Sequence, residues 1–122
     1  MTALRQRQPR EKDPGHLKRI RALPCICCGA GNVDAAHVRM TGPDKWNAGV
    51  GQKPHDCYVL PLCRECHQEQ HHLGEKRFWG DLGIDPIVVS RQLYRLSHDH
   101  DAMYSLVWVL QRANEKTLEI PF

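Results

Sequence analysis

Apolar residues in this chain come in short blocks separated by polar stretches rich in glycine and proline, and most blocks have a readable period. Leu17, Ile20 and Leu23 recur at i, i+3 and i+6, with Lys18, Arg19 and Arg21 on the other side. That pattern predicts a helix from Pro14 to about Ala22. Asp13 before Pro14 supplies its start, a side-chain cap followed by a residue whose missing N–H is harmless in the first turn. Val33 to Val38 and Tyr58 to Leu62 are apolar runs of strand length, and they predict the two arms of a β-hairpin. A helix is expected from near Arg64 to Gly74, where glycine suits the cap. Asp85-Pro86 repeats the cap-plus-proline start, and Ile87, Leu93, Tyr94 and Leu96, with Val88 or Val89, give a second helical face. A last helix is expected from His98 or Asp99 to about Asn114, apolar at Met103, Leu106, Val107 and Leu110, with Trp108 alongside. Leu118 to Phe122 reads as a short tail strand, and Phe78 and Trp79 as core plugs.

Between Arg39 and Asp56 no period persists, and glycines and prolines punctuate a long loop. Loops of more than about 12 to 15 residues in a compact domain are usually functional or disordered. This one carries Arg39, Lys45, Trp46 and Lys53, side chains suited to phosphate contact or stacking. The first twelve residues hold almost nothing to bury and predict a flexible basic arm over 1–12. The organisation expected is therefore an arm, a main α+β domain over 13–97, and a C-terminal helix and tail over 98–122.

Composition narrows this little. With 122 residues, 41% hydrophobic and 25% charged, the chain fits one small domain, and a structural metal is a common supplement to so modest a core. The formal net charge of +3 is too mild to name a partner. No apolar run reaches the roughly 18 to 20 residues of a membrane span, and the basic N-terminus lacks the apolar stretch of a secretory signal. A cytoplasmic protein with no membrane partner is the expectation.

Six cysteines change the picture more. Cys25 and Cys28 form one Cys-x-x-Cys pair, Cys63 and Cys66 another, and each suits a tight turn that aims both thiolates at one tetrahedral Zn²⁺. Three disulfides in a secreted protein are the alternative, and the absence of a signal favours the metal. Four thiolates leave no open position, so such a zinc is structural. Cys27 reads as a plain buried thiol. His67 and His71 stand four apart on the expected helix, one turn above each other on the same face, and can reach one ion. His37, at the end of the first strand, brings a third imidazole from the same hairpin. His72 points about 100° away from His71, and His16, His55, His98 and His100 read as surface residues.

The order L-P-C-x-x-C-G, D-A-A-H-V-R, G-Q-K-P-x-D and V-L-P-L-C-x-x-C-H-x-E-Q-H-x-x-G-E-x-x-F-W, then G-I-D-P, resembles the HNH endonuclease superfamily. More narrowly it is similar to the small phage and prophage HNH proteins related to the Ref recombination nuclease. The resemblance covers roughly Leu17 to Leu96. It implies a small zinc-strapped ββα-metal core with flanking helices and metal-dependent hydrolysis of DNA phosphodiesters. It makes His37 the general base or a metal ligand, with Asp56 the nearest polar residue to orient it. It gives His67 and His71, with His37 in the second case, to a divalent cation such as Mg²⁺, Mn²⁺ or Ni²⁺. Arg39, Lys45, Lys53 and Arg64 are the expected DNA contacts. Ala36 departs from the pattern, since many HNH enzymes place an acidic residue or histidine there. A zinc-binding module that holds nucleic acid without cutting it is the alternative. The C-terminal helices either cover the hairpin or form a homodimer, and a recombination protein is a further candidate partner.

Overall fold

A computed structural model describes the backbone of residues 11–40 and 55–118, with side chains to 113. Among these residues it has five helices and one two-stranded sheet, an α+β arrangement. The order is α1 (Pro14–Arg21), β1 (Val33–His37), β2 (Val59–Cys63), α2 (Arg64–Leu73), α3 (Glu75–Leu82), α4 (Pro86–Arg95) and α5 (His100–Leu118). Residues 1–10 of the basic arm expected over 1–12, the loop residues Lys45, Trp46 and Lys53, and the tail after Leu118 lie outside the described residues.

The hairpin is the centre. β1 and β2 pair antiparallel, with Val33 opposite Cys63, Ala35 opposite Pro61 and His37 opposite Val59. β2 is buried along its whole length, as a strand must be when α1, α2 and α4 all pack on it. Pro61 has no N–H to give, but its carbonyl accepts from Ile26 at 3.0 Å and so ties the first cysteine turn to the strand. Ile20, Leu23, Ile26, Leu60, Leu62, Leu93, Met103 and Val107 fill the core around this ribbon.

Both aspartate caps form. The Asp13 carboxylate accepts from the His16 amide at 3.0 Å, and that of Asp85 from Ile87 and Val88 at 3.0 and 3.3 Å. Phe78 and Trp79 are buried, edge to face, on α3. No helix among the described residues is long and apolar enough to cross a membrane.

Two histidines expected at the surface are inside. His55 is buried because its Nδ1 accepts from the Glu11 amide at 2.7 Å, while Glu11 takes the Asp56 amide at 3.0 Å. These bonds hold Glu11, at the end of the expected arm, against the hairpin. His16 is fully buried, four residues before Ile20 on the inner face of α1. Its Nδ1 lies 2.7 Å from Ser97 Oγ and its ring meets Tyr94 edge-on, but Nε2 has no partner. Burial holds the His16 pKa below its ordinary 6.5, helped by Arg19 and His98 and opposed by Asp13 and Asp56. The sign follows from linkage. The unfolded chain takes up this proton more readily, so the contribution is full above about pH 6.5 and is lost as pH falls below it toward the folded value. Urea unfolding at stepped pH should show a loss, of at most about 1.4 kcal/mol per pH unit from this group. His16→Gln should flatten that slope; an unchanged slope would remove His16 as its source.

Candidate metal centre and histidine cleft

The two cysteine turns are built alike. In the first, the Gly29 amide donates to the Cys25 carbonyl at 2.9 Å with Gly29 at φ 81, a left-handed position that glycine takes without strain. In each turn the amide of the second cysteine donates to the sulfur of the first at 3.5 Å, Cys28 to Cys25 and Cys66 to Cys63. Cys63 ends β2 and caps α2, so its sulfur sits at the positive end of that helix.

The hairpin register brings the two turns together. One ligand atom from each of Cys25, Cys28, Cys63 and Cys66 lies within 4.8 Å of the others, and the Cys28 and Cys63 sulfurs are 3.7 Å apart. All four thiols are free of disulfides. This cluster can hold a metal ion. Loss of water pushes the Cys28 thiol up to about 11, with the Cys25 sulfur adding to it, and burial pushes Cys66 up further. Against burial, the Cys66 amide and the neighbouring thiols hold Cys63 below 9.0. Four sulfurs this close shed their protons together only when a cation takes their place. Cys27 stays outside the cluster, half-buried rather than enclosed, and burial pushes its thiol up while Cys66 opposes the shift.

A second feature lies one helical turn along. Ala35, His37 and Arg39 from the hairpin face Gln70, His67 and His71 from α2 across a cleft of about 290 Å³, closed at one end by Gly74 and Glu75. Strand alternation explains the membership: residues 35, 37 and 39 share one side, and Ala36 between them is in the core, opposite Leu60. A side chain at 36 would enter the core, not the cleft.

Two of the three cleft histidines have an acid behind them. His37 Nε2 lies 2.8 Å from Oδ1 of Asp56, a buried carboxylate whose Oδ2 accepts from the Asp13 amide at 2.8 Å. His67 Nδ1 lies 3.2 Å from Asp34 Oδ2, and the His67 and His71 rings stack with centroids 4.8 Å apart. Asp34 and Glu75 are the residues that the sequence did not single out. Asp34 lies on the strand three residues before His37, where a carboxylate in an otherwise apolar run is the signal. Glu75 spends both oxygens on the amides of Arg39 and Met40, at 2.6 to 3.1 Å, so it fixes the exit of β1. Arg39 is exposed at the cleft, and Arg64, also exposed, reaches Asp34 at 3.4 Å. Among the described residues, the tight convergence of metal-binding atoms is that of the four cysteines; His37, His67 and His71 share a cleft without meeting so closely.

Residues 3–97 match the family model described as Protein of unknown function (DUF968), which takes in α1 to α4, the cysteine cluster and the cleft. The chain belongs to the DUF968 family. A curated relative is the uncharacterized protein YdfU of Escherichia coli (strain K12), 39% identical over 67 residues. That match covers 55% of this chain but only 17% of YdfU, so the DUF968 chain corresponds to a small part of the longer protein. No solved structure matches. α5 begins beyond the DUF968 match.

Proposed function

We propose that this DUF968 chain is a metal-dependent DNA endonuclease of the HNH, ββα-metal type, strapped by a structural zinc. The observation that carries the reading is the cleft in which His37, backed by buried Asp56, faces His67 and His71. Zinc suits the cysteines: with Zn–S bonds of about 2.3 Å, tetrahedral thiolates stand about 3.8 Å apart, and the Cys28 and Cys63 sulfurs are at 3.7 Å. For a catalytic cation the holders would be His67 and His71, one turn apart on α2. Asp34 on Nδ1 of His67 is the carboxylate partner that metal-binding imidazoles usually have, and it turns the other nitrogen outward. Such a cation would stabilise the charge that builds on the phosphoryl group.

The remaining work falls to the chain. With Nε2 held by Asp56, His37 takes the proton of the attacking water, and Asp56 both orients the ring and stabilises the imidazolium that forms. Water adds in line to phosphorus, the bond to the 3′ oxygen breaks and that oxygen takes a proton from solvent. The products are a 5′ phosphate and a 3′ hydroxyl, and His37 later returns its proton to water. Arg39 and Arg64 would neutralise flanking phosphates, with Lys45 and Lys53 extending the contact, so binding should weaken steeply with salt.

One feature favours the non-catalytic alternative, a zinc-strapped nucleic-acid binder: His37, His67 and His71 share the cleft without converging as the cysteines do. Supercoiled plasmid incubated with the protein and Mg²⁺, Mn²⁺ or Ni²⁺ separates the two. Nicking that EDTA stops supports the nuclease; retarded but intact plasmid with every cation supports the binder.

A further inference from the structure

α5 has two faces. Met103 and Val107 are fully buried, with Leu106 and Leu110 packed beside them. On the opposite side Tyr104, Trp108 and Val109 are each about half exposed, 45%, 47% and 54%, and the Arg112 guanidinium lies 4.9 Å over the Trp108 ring. Among the described residues Asp101 and Ser105 belong to this outer strip, both exposed. At 100° per residue, positions 101, 104, 105, 108, 109 and 112 fall on one side of a helix. Two large aromatic side chains on a solvent face are more apolar surface than a helix needs there.

The spacing of the strip identifies its occupant. Each residue has a counterpart at equal distance from the midpoint between Leu106 and Val107: Asp101 with Arg112, Tyr104 with Val109, Ser105 with Trp108. A two-fold axis through that midpoint lays a second α5 antiparallel on the first, and every counterpart becomes a partner. The acid then meets the base at both ends, about 16 Å apart along the helix, and each indole packs over a small serine. A strip whose charges and sizes answer themselves in this way fits its own copy. We propose that the outer face of α5 forms an antiparallel homodimer in which Asp101 pairs with Arg112 and the Tyr104, Trp108 and Val109 side chains of the two copies interlock. The contact is independent of the cleft, since it uses none of its residues.

Helix-on-helix contacts of this size are small, so the dimer is weak, with a dissociation constant on the order of 10 μM. Sedimentation equilibrium on the full chain tests it. Trp108→Glu should raise that constant about tenfold or more, with an unchanged far-UV melt because the position is outside the core. Asp101→Arg and Arg112→Asp should each be monomeric alone, and an equimolar mixture should form the heterodimer, as each then supplies the charge the other lacks. The double swap in one chain should dimerise again. A wild type that stays monomeric far above 10 μM overturns the proposal. So do single reversals that dimerise like wild type, and so does a mixture that remains monomeric.

Discussion

Cys63→Ser protein should carry no zinc and show no cooperative thermal transition. Cys63 occupies three roles at once: the last residue of β2, the cap of α2 and a sulfur 3.7 Å from that of Cys28. Structural zinc sites of this kind contribute apparent binding energies of about 10–16 kcal/mol near neutral pH. The whole stability of a small domain is about 5–15 kcal/mol. On the zinc reading, removing the ion therefore removes the fold, and the hairpin, the first turn and α2 should come apart together. Strong chelation of the wild type should do the same. Cys57→Ser is the control, since Cys57 is half-buried and outside the cluster; it should keep about one zinc per chain. Elemental analysis and a circular-dichroism melt decide the matter. A Cys63→Ser protein with wild-type zinc and midpoint would mean that the four sulfurs are not the ligands.

The second large effect concerns turnover. Under the nuclease reading, His37→Ala should slow plasmid nicking by about 10² to 10⁴, the usual worth of a positioned base. It should also lower stability, because the buried Asp56 loses one of its hydrogen-bond partners. Titration calorimetry on zinc-loaded protein distinguishes base from ligand. If His37 is the base, the second cation binds as before; if it is a ligand, affinity falls with the rate. His71→Ala should lose both in either case. Wild-type nicking by that variant would sink the assignment of the cleft.

What the sequence made legible was what neighbours in the chain decide. Asp13-Pro14 and Asp85-Pro86 marked helix starts because capping is a contact over two or three residues. The cysteine pairs were visible because each turn is closed by its own amides. α3 was not seen as a helix: Phe78 and Trp79 are adjacent, Gly80 follows, and eight residues hold too few apolar positions to display a period. The burial of His16 and His55 escapes the sequence for another reason. Their burial rests on Ser97 and Glu11, 81 and 44 residues away, and no local pattern carries such a contact. Asp34 was hidden in the same manner, as its partner His67 lies 33 residues further on. Asp56 was within reach only as the nearest polar residue to a histidine; that its second oxygen holds α1 belongs to the folded molecule alone.

That second oxygen makes the Asp13 amide a reporter. One carboxylate holds His37 on one side and the first residue of the α1 cap on the other, and the Asp13 side chain in turn takes the Tyr94 hydroxyl at 3.0 Å. Rotation of Asp56 away from His37 would therefore also loosen its hold on the Asp13 N–H. A single backbone resonance, followed by its rate of exchange with deuterium, reads the state of the histidine 24 positions along without any label placed in the cleft.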